Sequence, residues 1–151
     1  PGFNWDDNKL MTSKASTHER IVSSGIISEL RRICAKILCH TQEFEYSEDD
    51  LFAIHLAMEE AVVNAVKHGN KQDPARNVVI EYDLSPQKVD ICVTDQGKGF
   101  DPEGLADPRL GENIYKTDGR GVLLIMSYMD KVEYNNAGNS VRMTKFNSKS
   151  A

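Results

Sequence analysis

The apolar residues of this chain change period at Gly69-Asn70, and that change restricts the fold more than any other feature. Before it, Ile26, Ile27, Leu30, Ile33, Cys34, Ile37 and Leu38 recur at the spacing of one apolar helix face. Ser47 followed by Glu48, Asp49 and Asp50 then supplies an N-cap with acids in the first turn. This second helix is predicted to run to about His68 and to stop at Gly69-Asn70. After the change, Val78, Ile80, Tyr82 and Leu84 alternate with other residues, as do Val89, Ile91 and Val93. With Ser85-Pro86-Gln87-Lys88 between them they predict a β-hairpin. The stretch from Gln96 to about Asp118 is rich in Gly, Pro and Asp and has little period, as a lid or binding loop would. A short helix is expected over 120–129, with Val122, Ile125, Met126 and Met129 on one face. Strands over 132–134 and 141–146, joined at Asn135-Asn136-Ala137-Gly138, close the chain. Helices and hairpins are segregated, which predicts the α+β class. The expected form is a two-layer sandwich of a mixed, mainly antiparallel sheet with helices on one face.

A length of 151 residues suits one domain, expected over 18–151 behind an N-terminal arm at 1–17. Hydrophobic residues at 40% and charged residues at 27% are those of an ordinary globular protein, so disorder is not the default. The net charge of −5 argues against nucleic acid or an anionic membrane surface as partner, since both select a basic footprint. No apolar run approaches the ~18 residues that cross a bilayer, and the chain reads as cytoplasmic. Cys34, Cys39 and Cys92 lack metal-site spacing and read as small buried hydrophobes in a reducing compartment.

Three places carry chemistry. On the second helix, Glu60, Asn64, Lys67 and His68 fall at i, i+4, i+7 and i+8, a polar stripe on a largely apolar helix. A solvated face would show the same stripe, but a carboxylate one turn before a carboxamide also offers two hard oxygen donors of the kind Mg²⁺ takes. Asp95 keeps the parity of Val89, Ile91 and Val93, which aims it at the buried face if the strand continues. A buried carboxylate is costly unless it accepts hydrogen bonds. The exocyclic amine of adenine is one suitable donor, and Gly97 and Gly99 let the backbone lie close to a flat ring. A plain turn explains Asp95-Gln96-Gly97-Lys98-Gly99 equally well. Finally, Gly119-Arg120-Gly121 runs into the short helix, where backbone N–H groups can hold phosphate; a turning glycine pair is the bland reading.

In order and spacing these segments are more specific than each alone. Glu60–Asn64 with His68-Gly69, then Asp95–Gly99, then a loop and Gly119–Gly121, resemble the N, G1 and G2 boxes of the GHKL ATPases of Bergerat fold. The resemblance covers roughly residues 48–146. The short lid, the compact size and the run Asn113–Val132 look most like the RsbW-type anti-sigma serine/threonine kinase branch. That resemblance implies ATP or ADP and Mg²⁺ as ligands, with Glu60 as general base, Asn64 as Mg²⁺ ligand and Asp95 reading the adenine amine. It also implies that Gly97, Gly99, Gly119 and Gly121 shape the pocket, with His68 and Arg120 or Lys116 as further contacts; Asn139, at the position of the family's threonine, is this chain's own candidate contact, with Ser140 beside it. The implied reaction moves the ATP γ-phosphoryl group to a serine or threonine of an STAS-type anti-anti-sigma protein. A sigma factor is the implied second partner, and a homodimer through the arm and first helix a third association. The rival reading is a nucleotide-dependent module that sequesters a sigma factor without kinase activity. One departure stands out: the family's last box has Gly-Thr, with the threonine supporting the adenine aspartate, where this chain has Gly138-Asn139-Ser140.

Overall fold

The computed structural model describes residues 16–98 and 117–150, with the backbone alone for 117–120. In chain order its elements are β1 (Thr17–Ser24), α1 (Ile27–Gln42) and α2 (Glu48–Asn64), the last running on into a π-helical turn (Ala65–Gly69). Then come β2 (Asn77–Leu84), β3 (Lys88–Thr94), α3 (Thr117–Tyr128), β4 (Lys131–Tyr134) and β5 (Ser140–Phe146). The strands make one five-stranded sheet in the order β1-β2-β3-β5-β4, and each described pairing is antiparallel.

The register explains the core. Ile80 stands opposite Val93, and Val93 opposite Val141; one row along, Tyr82, Ile91 and Met143 line up in the same way. All six are buried, with Leu30, Ile37, Ile54, Met58 and Ile125 from the helices packed against them. Alternation with period two turns every one of these strand residues to the same face. That face and the three helices form the two layers expected for the α+β class.

Ser47 caps α2 as its sequence predicts: its hydroxyl accepts the Asp50 N–H at 3.0 Å. A cap of this kind stabilises a helix by about 1 kcal/mol. Asp50 does more than favour the helix dipole. It is buried, and its carboxylate accepts the Ser148 N–H at 2.9 Å and the Ser148 hydroxyl at 2.7 Å, which fastens the residues after β5 to the start of α2.

Three expectations need correction. Thr17–Ser24 is a full edge strand paired along β2, where the sequence shows no strand pattern. Cys34 and Cys92 are buried, but Cys39 is exposed; it lies nine residues from Leu30, half a turn away from the buried face of α1. The third helix begins at Thr117, three residues before the expected start, so Asp118 and Gly119 belong to its first turn instead of preceding it. Two glycines are poor helix formers, and packing overrides that preference because Gly121 lets α3 lie directly against α2.

Candidate functional site

α2 is held between α1 and α3 and rests on β3 and β5, so one side of its C-terminal half looks along the end of the sheet. There a cavity of about 430 Å³ opens. Ala61, Asn64, Ala65, His68 and Gly69 line it at helical spacing from α2 and the π turn. Val93 and Asp95 line it from β3, Val122 and Ile125 from α3, and Tyr134, Gly138, Ser140 and Val141 from the last hairpin. Lys71, Arg76 and Lys98 complete it. Its size and its mixture of apolar walls with a few convergent polar groups are those of a small-molecule site.

The backbone is pressed tightly around Asp95. A Cβ on Gly69 would lie 2.2 Å from the Asp95 Cγ and Oδ2, and a Cβ on Gly97 would lie 2.1 Å from the Gly69 carbonyl oxygen. Neither position tolerates a side chain without movement. The Asp95 Oδ1 accepts the Gly97 N–H at 2.7 Å. Burial pushes the Asp95 carboxyl above the usual range, although the Gly97 N–H and the Arg76 charge favour its ionised form. The strand does continue far enough to aim Asp95 at the cavity: its N–H donates to the Asn139 carbonyl at 2.9 Å, adding one bond beyond the β3–β5 ladder.

Asn139 contacts Asp95 through the main chain. Its Nδ2 donates to the Asp95 carbonyl at 3.3 Å, and its Oδ1 accepts from Asn135 Nδ2 at 2.8 Å. The Ser140 hydroxyl pairs with Thr94 Oγ1 at 2.6 Å and lies 3.2 Å from Cys92 Sγ. The threonine of the family's Gly-Thr box therefore has no like-for-like replacement among these described bonds.

At the other end, α3 meets α2. A Cβ on Gly121 would lie 3.0 Å from both Glu60 Oε2 and Asn64 Nδ2, and 3.2 Å from Asn64 Oδ1. The fold thus brings the second-helix pair and Gly121 to one point, with Asn64 shared between that point and the cavity. The neighbouring acid, Glu59, is turned away and bound to Arg31 of α1 by bonds of 2.7 and 2.9 Å. Of the polar stripe, Lys67 and His68 are both exposed, and His68 also lines the cavity. Gly99 and Lys116 lie outside the described residues. Gly119 and Arg120 are placed by backbone alone, in the first turn of α3. Among the described residues, no group of three His, Cys, Asp or Glu side chains could hold a metal ion by itself. No helix of the described residues is long and apolar enough to cross a membrane.

Several lining residues escape a reading of the sequence. Gly69 looks like a helix stop, yet its missing side chain is what admits the Asp95 carboxylate. Lys71 and Arg76 sit in an irregular connection, and only the topology brings Tyr134 round to face α2. Asn70, just behind the cavity wall, is buried in the turn that follows, where Lys71 and Gln72 take φ values of 52° and 61°.

The chain matches the family model described as a histidine kinase-like ATPase domain over residues 27–145. The serine-protein kinase RsbW of Staphylococcus aureus is 33% identical over 106 residues, covering 65% of this chain and 67% of the relative. That of Bacillus licheniformis is 32% identical over 111 residues, covering 67% and 68%. Among solved structures, the RsbU and RsbW domains of Rv1364c from Mycobacterium tuberculosis superpose with a TM-score of 0.59 at 18% identity. The match covers 86% of this chain and 32% of that one, so the likeness is one of fold. The matching family model, and relatives matched over two thirds of their length, place the chain in the histidine kinase-like ATPase family, in the branch of the RsbW serine-protein kinases.

Proposed function

We propose that this chain is an ATP-dependent serine/threonine protein kinase of the anti-sigma type, acting in the cytoplasm. One observation carries the reading: Glu60 and Asn64 meet at Gly121, and Asn64 lines the same cavity as Asp95 in its glycine cradle. The residues fit a nucleotide. A half-buried carboxylate suits an exocyclic amine donor, and the missing side chains of Gly69 and Gly97 let the backbone close around it. Asn64 offers a hard oxygen of the kind that would hold a Mg²⁺.

In this reading Asp95 selects the base by accepting from its amine. Asn64 holds the cation, which when bound neutralises phosphate charge. Glu60 accepts the proton of the attacking serine or threonine hydroxyl, a role its neighbour Glu59 cannot share while tied to Arg31. Phosphoryl transfer depends mostly on such positioning and charge compensation, and a general base contributes about 10²–10⁴-fold. The phosphoacceptor is an STAS-type anti-anti-sigma protein, a sigma factor is the second partner, and the working form is a homodimer; these parts rest on resemblance to the RsbW kinases.

The test is to incubate the chain with Mg²⁺ and γ-labelled ATP beside candidate STAS-type proteins and to follow the label. Transfer to a serine or threonine, lost in Glu60→Ala with nucleotide affinity retained, supports the assignment. An undiminished rate in Glu60→Ala removes Glu60 as base. Nucleotide-dependent partner binding with no transfer favours the sequestering module.

A further inference from the structure

Asn70 has no role in the family motif, yet it is 0% exposed and makes bonds in three directions. Its Oδ1 accepts the Gln96 N–H at 2.8 Å, and its Nδ2 donates to the Asn77 carbonyl at 3.0 Å and to the Arg76 carbonyl at 3.4 Å. The side chain of Gln96 answers by accepting the Asn77 N–H at 2.7 Å. Both main-chain groups of Asn77 are therefore taken by side-chain amides, one from the end of the π turn and one from the loop after β3.

This closed set of bonds surrounds the segment that carries Asp95. Gln96 is the next residue along, and Gly97 lies so close to the Gly69 carbonyl that the two backbones have no slack between them. Gly69, in turn, is the surface on which the Asp95 carboxylate rests. Fixing Gln96 N–H to Asn70 sets how far the loop can slide over Gly69, and so where the carboxylate points into the cavity. A buried amide satisfied on both its donor and its acceptor side holds such a geometry because every alternative strands a polar group.

We propose that Asn70 and Gln96 form an amide clamp that positions Asp95, making them positioning residues for recognition of a nucleobase that presents an amine. This rests on the reading of Asp95 as the base-selecting group. The clamp touches no nucleotide itself; it acts through the carboxylate.

The experiment compares Kd for ADP and for inosine diphosphate, each with Mg²⁺, on the full chain and its variants. Inosine diphosphate carries a carbonyl oxygen where adenine has its amine and keeps the same sugar and phosphates, so the comparison reads the base edge that faces Asp95. Wild type is expected to prefer ADP by tenfold or more. Asn70→Ala should weaken ADP by tenfold or more while leaving inosine diphosphate within about threefold, so the preference collapses toward one. Should Asn70→Ala fail to fold, the exposed Gln96→Ala carries the test, with a preference at least threefold below wild type. Gln96→Glu, which still accepts the Asn77 N–H, should keep the wild-type preference. A merely structural role predicts variants that lose thermal stability, or lose both affinities together, with the preference intact; that outcome overturns the clamp. Wild type without any preference overturns the reading of Asp95 and the clamp with it.

Discussion

Replacing Gly69 by alanine inserts one methyl group, and the structure fixes what that methyl meets. It would stand 2.2 Å from the Asp95 Cγ and Oδ2 and 2.5 Å from Oδ1, where ordinary contact begins at 3.4 Å. The carboxylate must retreat by more than 1 Å. Its 2.7 Å bond from the Gly97 N–H cannot survive that shift unless the loop moves as well, and the Gly97 backbone is already against the Gly69 carbonyl. A hydrogen bond to a charged group is worth about 1.5–3 kcal/mol, and the contact to a bound base is displaced with it. A loss near 2.7 kcal/mol in binding is about a hundredfold in Kd. Thermal unfolding reads this directly. Nucleotide at a hundred times the wild-type Kd stabilises wild type by about 2.7 kcal/mol and the variant by about 0.4 kcal/mol. For a chain of this size these are Tm shifts of roughly 8 °C and 1 °C. A Gly69→Ala protein that keeps the full ligand-induced shift would refute the close approach of Asp95 to Gly69 as a requirement of the site.

Further expectations concern other parts of the molecule. Asn64→Ala should weaken nucleotide binding in the presence of Mg²⁺ and leave binding in EDTA unchanged, as measured by calorimetry; equal losses in both would remove Asn64 as the cation ligand. Burial holds the Asp95 carboxyl above its usual range, so the folded chain binds that proton more tightly than the unfolded one. The associated stability is present at acid pH and is lost as pH rises through the folded-state value. Asp95→Asn should accordingly raise the Tm of the nucleotide-free protein at neutral pH, with the gain shrinking on acidification; a gain that grows on acidification has the wrong sign. Asp50 behaves oppositely. Burial pushes its carboxyl up, but the Ser148 N–H and hydroxyl together with Ser47 outweigh burial and hold it low. Its contribution is present above the ordinary carboxylate range and fades as pH falls through the depressed value. Asp50→Ala should cost about 1–3 kcal/mol at neutral pH and less at low pH, checked by urea unfolding at both.

How much of this was legible beforehand depended on whether a residue's role is local. The β2–β3 hairpin and the Ser47 cap are decided within a few residues, by alternation and by one side-chain bond, and both lay open in the sequence. β1 was not legible because it is an edge strand: Ile21 and Val22 are its large apolar residues, one per face, and two residues make no period. The start of α3 was misplaced because helix propensity counts Gly119 and Gly121 against a helix, whereas contact with α2 makes the absent Cβ of Gly121 an advantage. In the site, Glu60, Asn64 and Asp95 were picked out by residue type and spacing. Gly69, Asn70 and Tyr134 could not be, since their importance lies in what stands opposite them across the fold.

The central claim is that the cavity binds an adenine nucleotide through Asp95. Its most direct measurement is a calorimetric titration of wild type and Asp95→Asn with Mg²⁺–ADP. One site per chain in wild type, weakened at least thirtyfold in a variant that melts as cooperatively as wild type, is the predicted result. Equal affinity in the two proteins, or no binding by wild type, would contradict it.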